Sequence, residues 1–258
     1  MKDRKQFFKD GFIFDKLDNY QDIFDYELMK ELKTEVNDVN VSRGSRYIYE
    51  YTYNERKINE LVIYDDVKKN VGKDSDIDMN KLSDEDAEFL FNLEHESKVN
   101  KIKSIPPGPE PFLEGKWIFG ELNDEIEYEY RKDVFKQQVK FVKHYYSDYE
   151  NVHSNRFSFG NTLIQFYDEG CVIAKHRDGA PFNRICTFLY FLNNEWDSNN
   201  GGQLVINPRS DNPIVVEPIF PNFVVLDQTD SAVDNEHEVL KVNSDTKLTY
   251  TSFFEVKE

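Results

Sequence analysis

From about residue 161 onward the chain adopts a short, broken β rhythm, and this constrains its fold more than any other feature. Residues 161–167, 185–192, 203–207, 214–216, 222–226, 237–239 and 248–254 each read as a strand. They are short, rich in β-branched and aromatic residues, and set apart by Gly, Asn, Asp and Pro. Seven or eight such strands in about a hundred residues make a β-sandwich or barrel.

The first half has another character. Phe7 to Phe14 reads as a short helix or turn that passes into a strand, with Gly11 as the break. Residues 22–36 place Ile23, Tyr26, Met29, Leu32 and Val36 at helical spacing, an apolar stripe suited to packing on a sheet. Residues 131–146 repeat the pattern with Val134, Phe135, Val139, Val142 and Tyr146. Between them Tyr47, Tyr49, Tyr51 and Tyr53 alternate along one face of a strand, and residues 61–64 suggest another. Ser83-Asp84-Glu85-Asp86 reads as a variant capping box that opens a helix through Phe89, Leu90 and Leu93. The prolines of residues 106–111 demand a loop, either a plain connector or the frame of a substrate entrance. The expectation is a mainly β fold with supporting helices: a mixed support region over 1–150, integral to the fold, and a β core over 151–258, together one compact domain.

Composition narrows the partners. The chain carries 49 acidic and 32 basic side chains, a net charge of -17, yet 15% of it is aromatic. A disordered acidic chain is poor in such residues, so the charge belongs to the surface of a folded protein. That field repels phosphate backbones and argues against nucleic acid. The two cysteines, Cys171 and Cys186, lie in apolar runs and form no disulfide or zinc framework. No signal-peptide core and no run of 18 apolar residues is present, so a cytoplasmic protein without membrane contact is expected. Oligomeric state is left open.

His176-Arg177-Asp178 and, sixty-one residues later, His237 supply two imidazoles and a carboxylate. That is the ligand set of the facial triad that holds non-haem Fe(II) and leaves one face open. On a strand, the two-residue spacing puts His176 and Asp178 on the same face. The His-x-Asp pattern alone arises by chance in many proteins, and a lone histidine is usually a hydrogen-bonded polar residue.

The surrounding order is more specific. Tyr167-x-x-Gly170, His176-x-Asp178, the run from Arg184 to Asn193, Trp196, Gly201-Gly202-Gln203-Leu204, His237 and Lys247 resemble the 2-oxoglutarate and Fe(II)-dependent dioxygenases, most closely the prolyl 4-hydroxylase-like branch. The likeness spans roughly residues 158–255, with a weaker echo at Phe8 to Phe14. It implies a double-stranded β-helix, the jelly-roll or cupin-like fold. It implies that His176, Asp178 and His237 ligate Fe(II) and are the catalytic centre. Lys247 would hold the distal carboxylate of 2-oxoglutarate, as a point charge rather than a bidentate fork; the bland alternative is a solvated strand-end charge. Thr249, on the same strand face, and Tyr167 would line that pocket, with Tyr190 or Thr187 supplying a further polar contact. Ascorbate is an accessory to be expected with this chemistry.

Two positions depart from the prolyl-hydroxylase pattern. Ile173 and Phe191 stand where tyrosines occur in relatives. Asp178 argues against the related halogenases, which have a small residue there. Arg184 either faces a peptide substrate or is a surface strand-end arginine. Asp230 and Asp234 either contact a cationic substrate or form a solvated turn. Trp196 and the Gly201-Gly202 pair read as structural. The expected activity is hydroxylation of an unactivated carbon, foremost in a prolyl residue of a peptide or protein. A free amino acid or other small metabolite is the alternative substrate, and a non-catalytic cupin-like binding module the alternative class.

Overall fold

The computed structural model describes residues 1–37, 46–51, 113–120, 124–147, 156–178, 184–207, 212–229 and 235–257. Among these residues three α-helices, α1 (Arg4–Asp10), α2 (Tyr26–Asn37) and α3 (Asp124–Tyr145), accompany eleven strands. These are β1 (Phe12–Lys16), β2 (Arg46–Tyr51), β3 (Leu113–Gly120), β4 (Arg156–Tyr167), β5 (Val172–His176), β6 (Arg184–Phe191), β7 (Leu204–Ile206), β8 (Ile214–Val216), β9 (Asn222–Asp227), β10 (His237–Val239) and β11 (Lys247–Lys257).

The strands run in the order β1-β9-β6-β11-β4-β3-β5-β10-β7-β8, with β2 added to β3, and the ladders between them are antiparallel. β3 pairs with β4 through Trp117–Gly120 and with β5 through Leu113 and Glu114, so it joins a major sheet to a minor one. This is the double-stranded β-helix.

Alternation along the major strands separates two cores. On β6, Cys186, Phe188 and Tyr190 point outward to the helices, while Thr187, Leu189 and Phe191 point into the barrel. β11 sends Leu248, Tyr250 and Phe254 outward, and Lys247, Thr249, Thr251 and Phe253 inward. The outer core is aromatic. Phe24 meets the rings of Phe141, Phe188, Tyr190 and Phe223 at centroid distances of 4.9 to 6.3 Å. The inner core is smaller and mostly aliphatic, from Leu204, Ile206, Val216, Val224, Leu226 and Val239 around Tyr167 and Phe191. Cys171 and Cys186 are buried thiols outside any disulfide, one in each core.

Several boundaries differ from expectation for local reasons. α2 begins at Tyr26 rather than 22 because Asp25 takes the Leu28 amide on its carboxylate, 3.1 Å away, and so caps the helix. Ile23 and Phe24 precede the helix as buried plugs. α3 begins at Asp124, earlier than 131, and β3 is a strand that periodicity did not reveal. Gly11 ends α1 at φ 76°, its amide donating to the Phe7 carbonyl. Gly201 has φ 71°, and a side chain there would collide with the Lys241 carbonyl, so only glycine fits. Tyr53, residues 61–64, Ser83 to Asp86, Pro106 to Pro111, Asp230 and Asp234 lie outside the described residues. Among the described residues no helix is long and apolar enough to cross a membrane.

Candidate metal centre and co-substrate pocket

β10 lies between β5 and β7, and its register sets His237 directly opposite His176. The two imidazoles meet at a centroid distance of 4.3 Å. Asp178 closes the group: its Oδ1 lies 3.5 Å from His176 Nε2 and its Oδ2 lies 3.8 Å from His237 Nε2. One ligand atom from each residue falls within 4.8 Å of the others. β5 ends at His176, so Asp178 does not share its strand as the spacing had suggested. β10 has only three residues and its pairing with β5 starts at His237, so β5 has no partner strand there beyond His176. The chain leaves the sheet, and Asp178 turns back toward both rings from the loop.

The donor set fits a divalent metal. His176 Nδ1 lies 3.0 Å from the Ala174 carbonyl, and His237 Nδ1 lies 3.2 Å from the Asn235 carbonyl. Each carbonyl holds the ring proton on Nδ1 and leaves the Nε2 lone pair facing Asp178, the tautomer a metal requires. Burial pushes the His237 imidazole down to about 4, with His176 adding to the effect. Burial opposes ionisation of Asp178, yet His237, His176 and Arg184 outweigh it and hold the carboxyl well below the usual carboxylate range. Two imidazole nitrogens beside an ionised carboxylate suit a hard-to-borderline cation such as Fe(II).

Lys247 is 1% exposed. It is not the solvated strand-end charge that was its bland alternative. Its ammonium stands 4.5 Å from the centroid of the Tyr167 ring and 5.8 Å from that of Phe191. Among the described residues no carboxylate or hydrogen-bond acceptor meets it. Burial pushes it down to about 7. A buried cation without a counter-charge is costly, and an anionic ligand relieves that cost.

A group of hydroxyls lies beside it. Tyr167 donates to Gln165 Oε1 at 3.0 Å, and Thr249 reaches both Gln165 Oε1 at 3.3 Å and the Tyr167 hydroxyl at 3.4 Å. Thr251 donates to the same Gln165 oxygen at 2.9 Å. Burial raises the Tyr167 phenol, which stays protonated. Sequence reasoning missed Gln165 and Thr251. The available signal was period two: Gln165 precedes Tyr167, and Thr251 follows Thr249, by one step on the same inward face. It also missed Asn235, whose carbonyl orients His237 and whose side chain donates to the Asp227 carbonyl.

Other expected residues are distributed unevenly. Thr187 is buried on the inward face, but it takes a 3.4 Å hydrogen bond from Gln228 and pairs with Phe253, four residues along β6 from Phe191. It is therefore set apart from the Lys247 group. Tyr190 points to the helices, because alternation puts it on the opposite face from Thr187 and Phe191, and it cannot line this pocket. Arg184 is brought to the site: its guanidinium lies 3.7 Å from the Phe253 ring centroid and donates to the Asp178 carbonyl at 3.3 Å. Ile173 and Phe191, the two departures, both pack in the inner core.

Residues 162–255 match the family model described as the 2OG-Fe(II) oxygenase superfamily. No curated protein matches the sequence. Among solved structures, the fold is similar to that of a Pseudomonas putida prolyl-4-hydroxylase, at 14% identity and a TM-score of 0.51, covering 98% of this chain and 96% of that one. It is similar to a Trichoplax adhaerens prolyl hydroxylase in complex with a hypoxia inducible factor oxygen degradation domain peptide fragment, at 16% identity and a TM-score of 0.51, covering 98% and 86%. IDO from Bacillus thuringiensis is also similar, at 14% identity and a TM-score of 0.50, covering 99% and 98%. At these identities the likeness establishes the fold.

Proposed function

We propose that this chain, a member of the 2OG-Fe(II) oxygenase superfamily through residues 162–255, hydroxylates an unactivated carbon of a prolyl residue in a peptide or protein. His176, Asp178 and His237 would hold Fe(II), and Lys247, with Tyr167 and Thr249, would seat 2-oxoglutarate. The observation that carries this reading is the pairing of an oriented His-Asp-His group with a buried ammonium that no described carboxylate meets, inside one barrel. Bound Fe(II) and 2-oxoglutarate supply the oxidising power, coupling decarboxylation to succinate and CO2 with delivery of one oxygen atom of O2 to a C–H bond.

The protein's own part is positional. The carbonyls of Ala174 and Asn235 fix the imidazole tautomers. Arg184 supports Asp178 from the loop side. The Tyr167 and Phe191 rings give Lys247 an apolar, water-poor seat in which a carboxylate is held strongly. Thr187 and Arg184 lie toward the Phe253 end of the inward face, away from Lys247, and would border the prime substrate rather than the co-substrate.

The prolyl assignment draws on the whole-length fold likeness to prolyl hydroxylases, one of them with a bound peptide fragment. Purified enzyme with Fe(II), 2-oxoglutarate and O2 is to be offered proline-rich peptides in parallel with free amino acids. A 16-dalton gain on proline in the peptides supports it. A gain confined to a free amino acid replaces the prolyl reading and keeps the oxygenase. Oxidation of neither, with no succinate released, counts against catalysis altogether.

A further inference from the structure

We propose that the Gln165 carboxamide is the second donor to the distal carboxylate of 2-oxoglutarate, working beside Lys247. This rests on the reading of the Lys247 pocket as the co-substrate site.

Gln165 lies on the inward face of β4, opposite Thr249 and one inward step from Tyr167. Three hydroxyls converge on its amide oxygen: Thr251 at 2.9 Å, Tyr167 at 3.0 Å and Thr249 at 3.3 Å. The two shortest bonds, from Thr251 and Tyr167, fill the two lone pairs of that oxygen, and the Thr249 hydroxyl sits 3.4 Å from the Tyr167 hydroxyl as well. Thr251 and Tyr167 spend their protons there, so the hydroxyls line the seat of the carboxylate beside Lys247 and leave room for a further donor to it.

The donors beside them are Lys247 and the Gln165 nitrogen. Among the described residues no acceptor meets that nitrogen, and Gln165 is half-buried on the inward face of β4, so Nε2 is accessible to a ligand. Gln165 and Lys247 share one anchor: the amide oxygen holds the Tyr167 hydroxyl, and the ammonium stands over the Tyr167 ring. A lysine engages a carboxylate as a point charge and leaves the second oxygen to another donor. The amide N–H group supplies it. The lost tyrosine hydroxyls at Ile173 and Phe191 are compensated from β4, on the opposite side of Lys247 from Phe191.

The test is binding, not turnover. Zn(II)-loaded wild type, Gln165→Leu, Gln165→Glu and Lys247→Ala are titrated calorimetrically with 2-oxoglutarate and with 2-oxobutyrate, which keeps the keto acid but lacks the distal carboxylate. Gln165→Leu is expected to weaken 2-oxoglutarate about tenfold, the loss of a hydrogen bond to a charged group, with 2-oxobutyrate unchanged. Gln165→Glu keeps an acceptor for the three hydroxyls but replaces the donor with a negative charge, so it is expected to weaken 2-oxoglutarate further and again to spare 2-oxobutyrate. Wild-type discrimination between the two acids in both variants overturns the proposal. So does an equal loss for both acids in Gln165→Leu alongside normal binding in Gln165→Glu, the pattern of a residue that only ties hydroxyls together. Unchanged 2-oxoglutarate binding in Lys247→Ala defeats the pocket assignment itself, whatever the Gln165 variants do.

Discussion

Lys247 carries the sharpest electrostatic consequence at the scale of single residues. Its burial lowers it to about 7 in the ligand-free protein, and a bound carboxylate favours the ammonium and raises it again. Affinity for 2-oxoglutarate is therefore expected to be constant below about pH 7. It should fall as pH rises above that value, by up to about tenfold per pH unit until the bound-state value is reached. Titrating the Zn(II)-loaded protein from about pH 6 to 9 measures this directly. Lys247→Arg, which stays charged throughout, should flatten the slope; the same slope in both proteins would assign it to another group. Arg184 acts at the other end of the site. Arg184→Ala removes a cation that favours ionised Asp178 and a donor to its carbonyl, so Mn(II) affinity is expected to fall about tenfold. An unchanged Mn(II) titration would restrict Arg184 to the prime substrate. The residue types of the triad and Lys247 were legible because their order along the chain is distinctive. Gln165 was not, because a glutamine flanked by Ile164 and Phe166 looks like any polar break in a strand until the hydroxyls of Thr249 and Thr251, more than eighty residues away, are brought onto it.

Elements were legible where local pattern decides and illegible where pairing decides. Alternating tyrosines marked β2, and helical stripes marked α2 and α3. β3 escaped because Leu113-Glu114-Gly115-Lys116-Trp117-Ile118-Phe119-Gly120 has two glycines and weak alternation. Its strand character comes from β2, β4 and β5, which all pair with it. The early end of β5 was hidden for the same reason, since it depends on the short reach of β10. Phe24 shows what an irregular element can hold together. It belongs to no regular helix, yet it packs α3 against β6 and β9 through Phe141, Phe188 and Phe223. Phe24→Ala is expected to cost about 3–5 kcal/mol of unfolding free energy, measured by denaturant titration, while leaving metal stoichiometry intact at low temperature. A cost within about 0.5 kcal/mol, the range of a neutral surface change, would mean the outer core does not depend on that ring.

For the whole molecule, the number and brevity of the C-terminal strands announced a closed β fold, and the motif order gave its type. What neither contained was closure by the front half. β1, at Phe12 to Lys16, pairs with β9 residue by residue from Leu226 back to Asn222, and no local pattern signals a partner two hundred residues away. The same long-range closure makes the site, since β5 and β10 bring His176 and His237 face to face across sixty intervening residues. The central claim is that this closure creates one metal centre. Anaerobic Fe(II) titration of wild type, His176→Ala and His237→Ala measures it most directly, with thermal unfolding as the check on folding. One tightly bound Fe(II) per chain is expected for wild type, and loss of stoichiometric binding in both variants with their folds retained. Stoichiometric Fe(II) binding that survives both substitutions would contradict it.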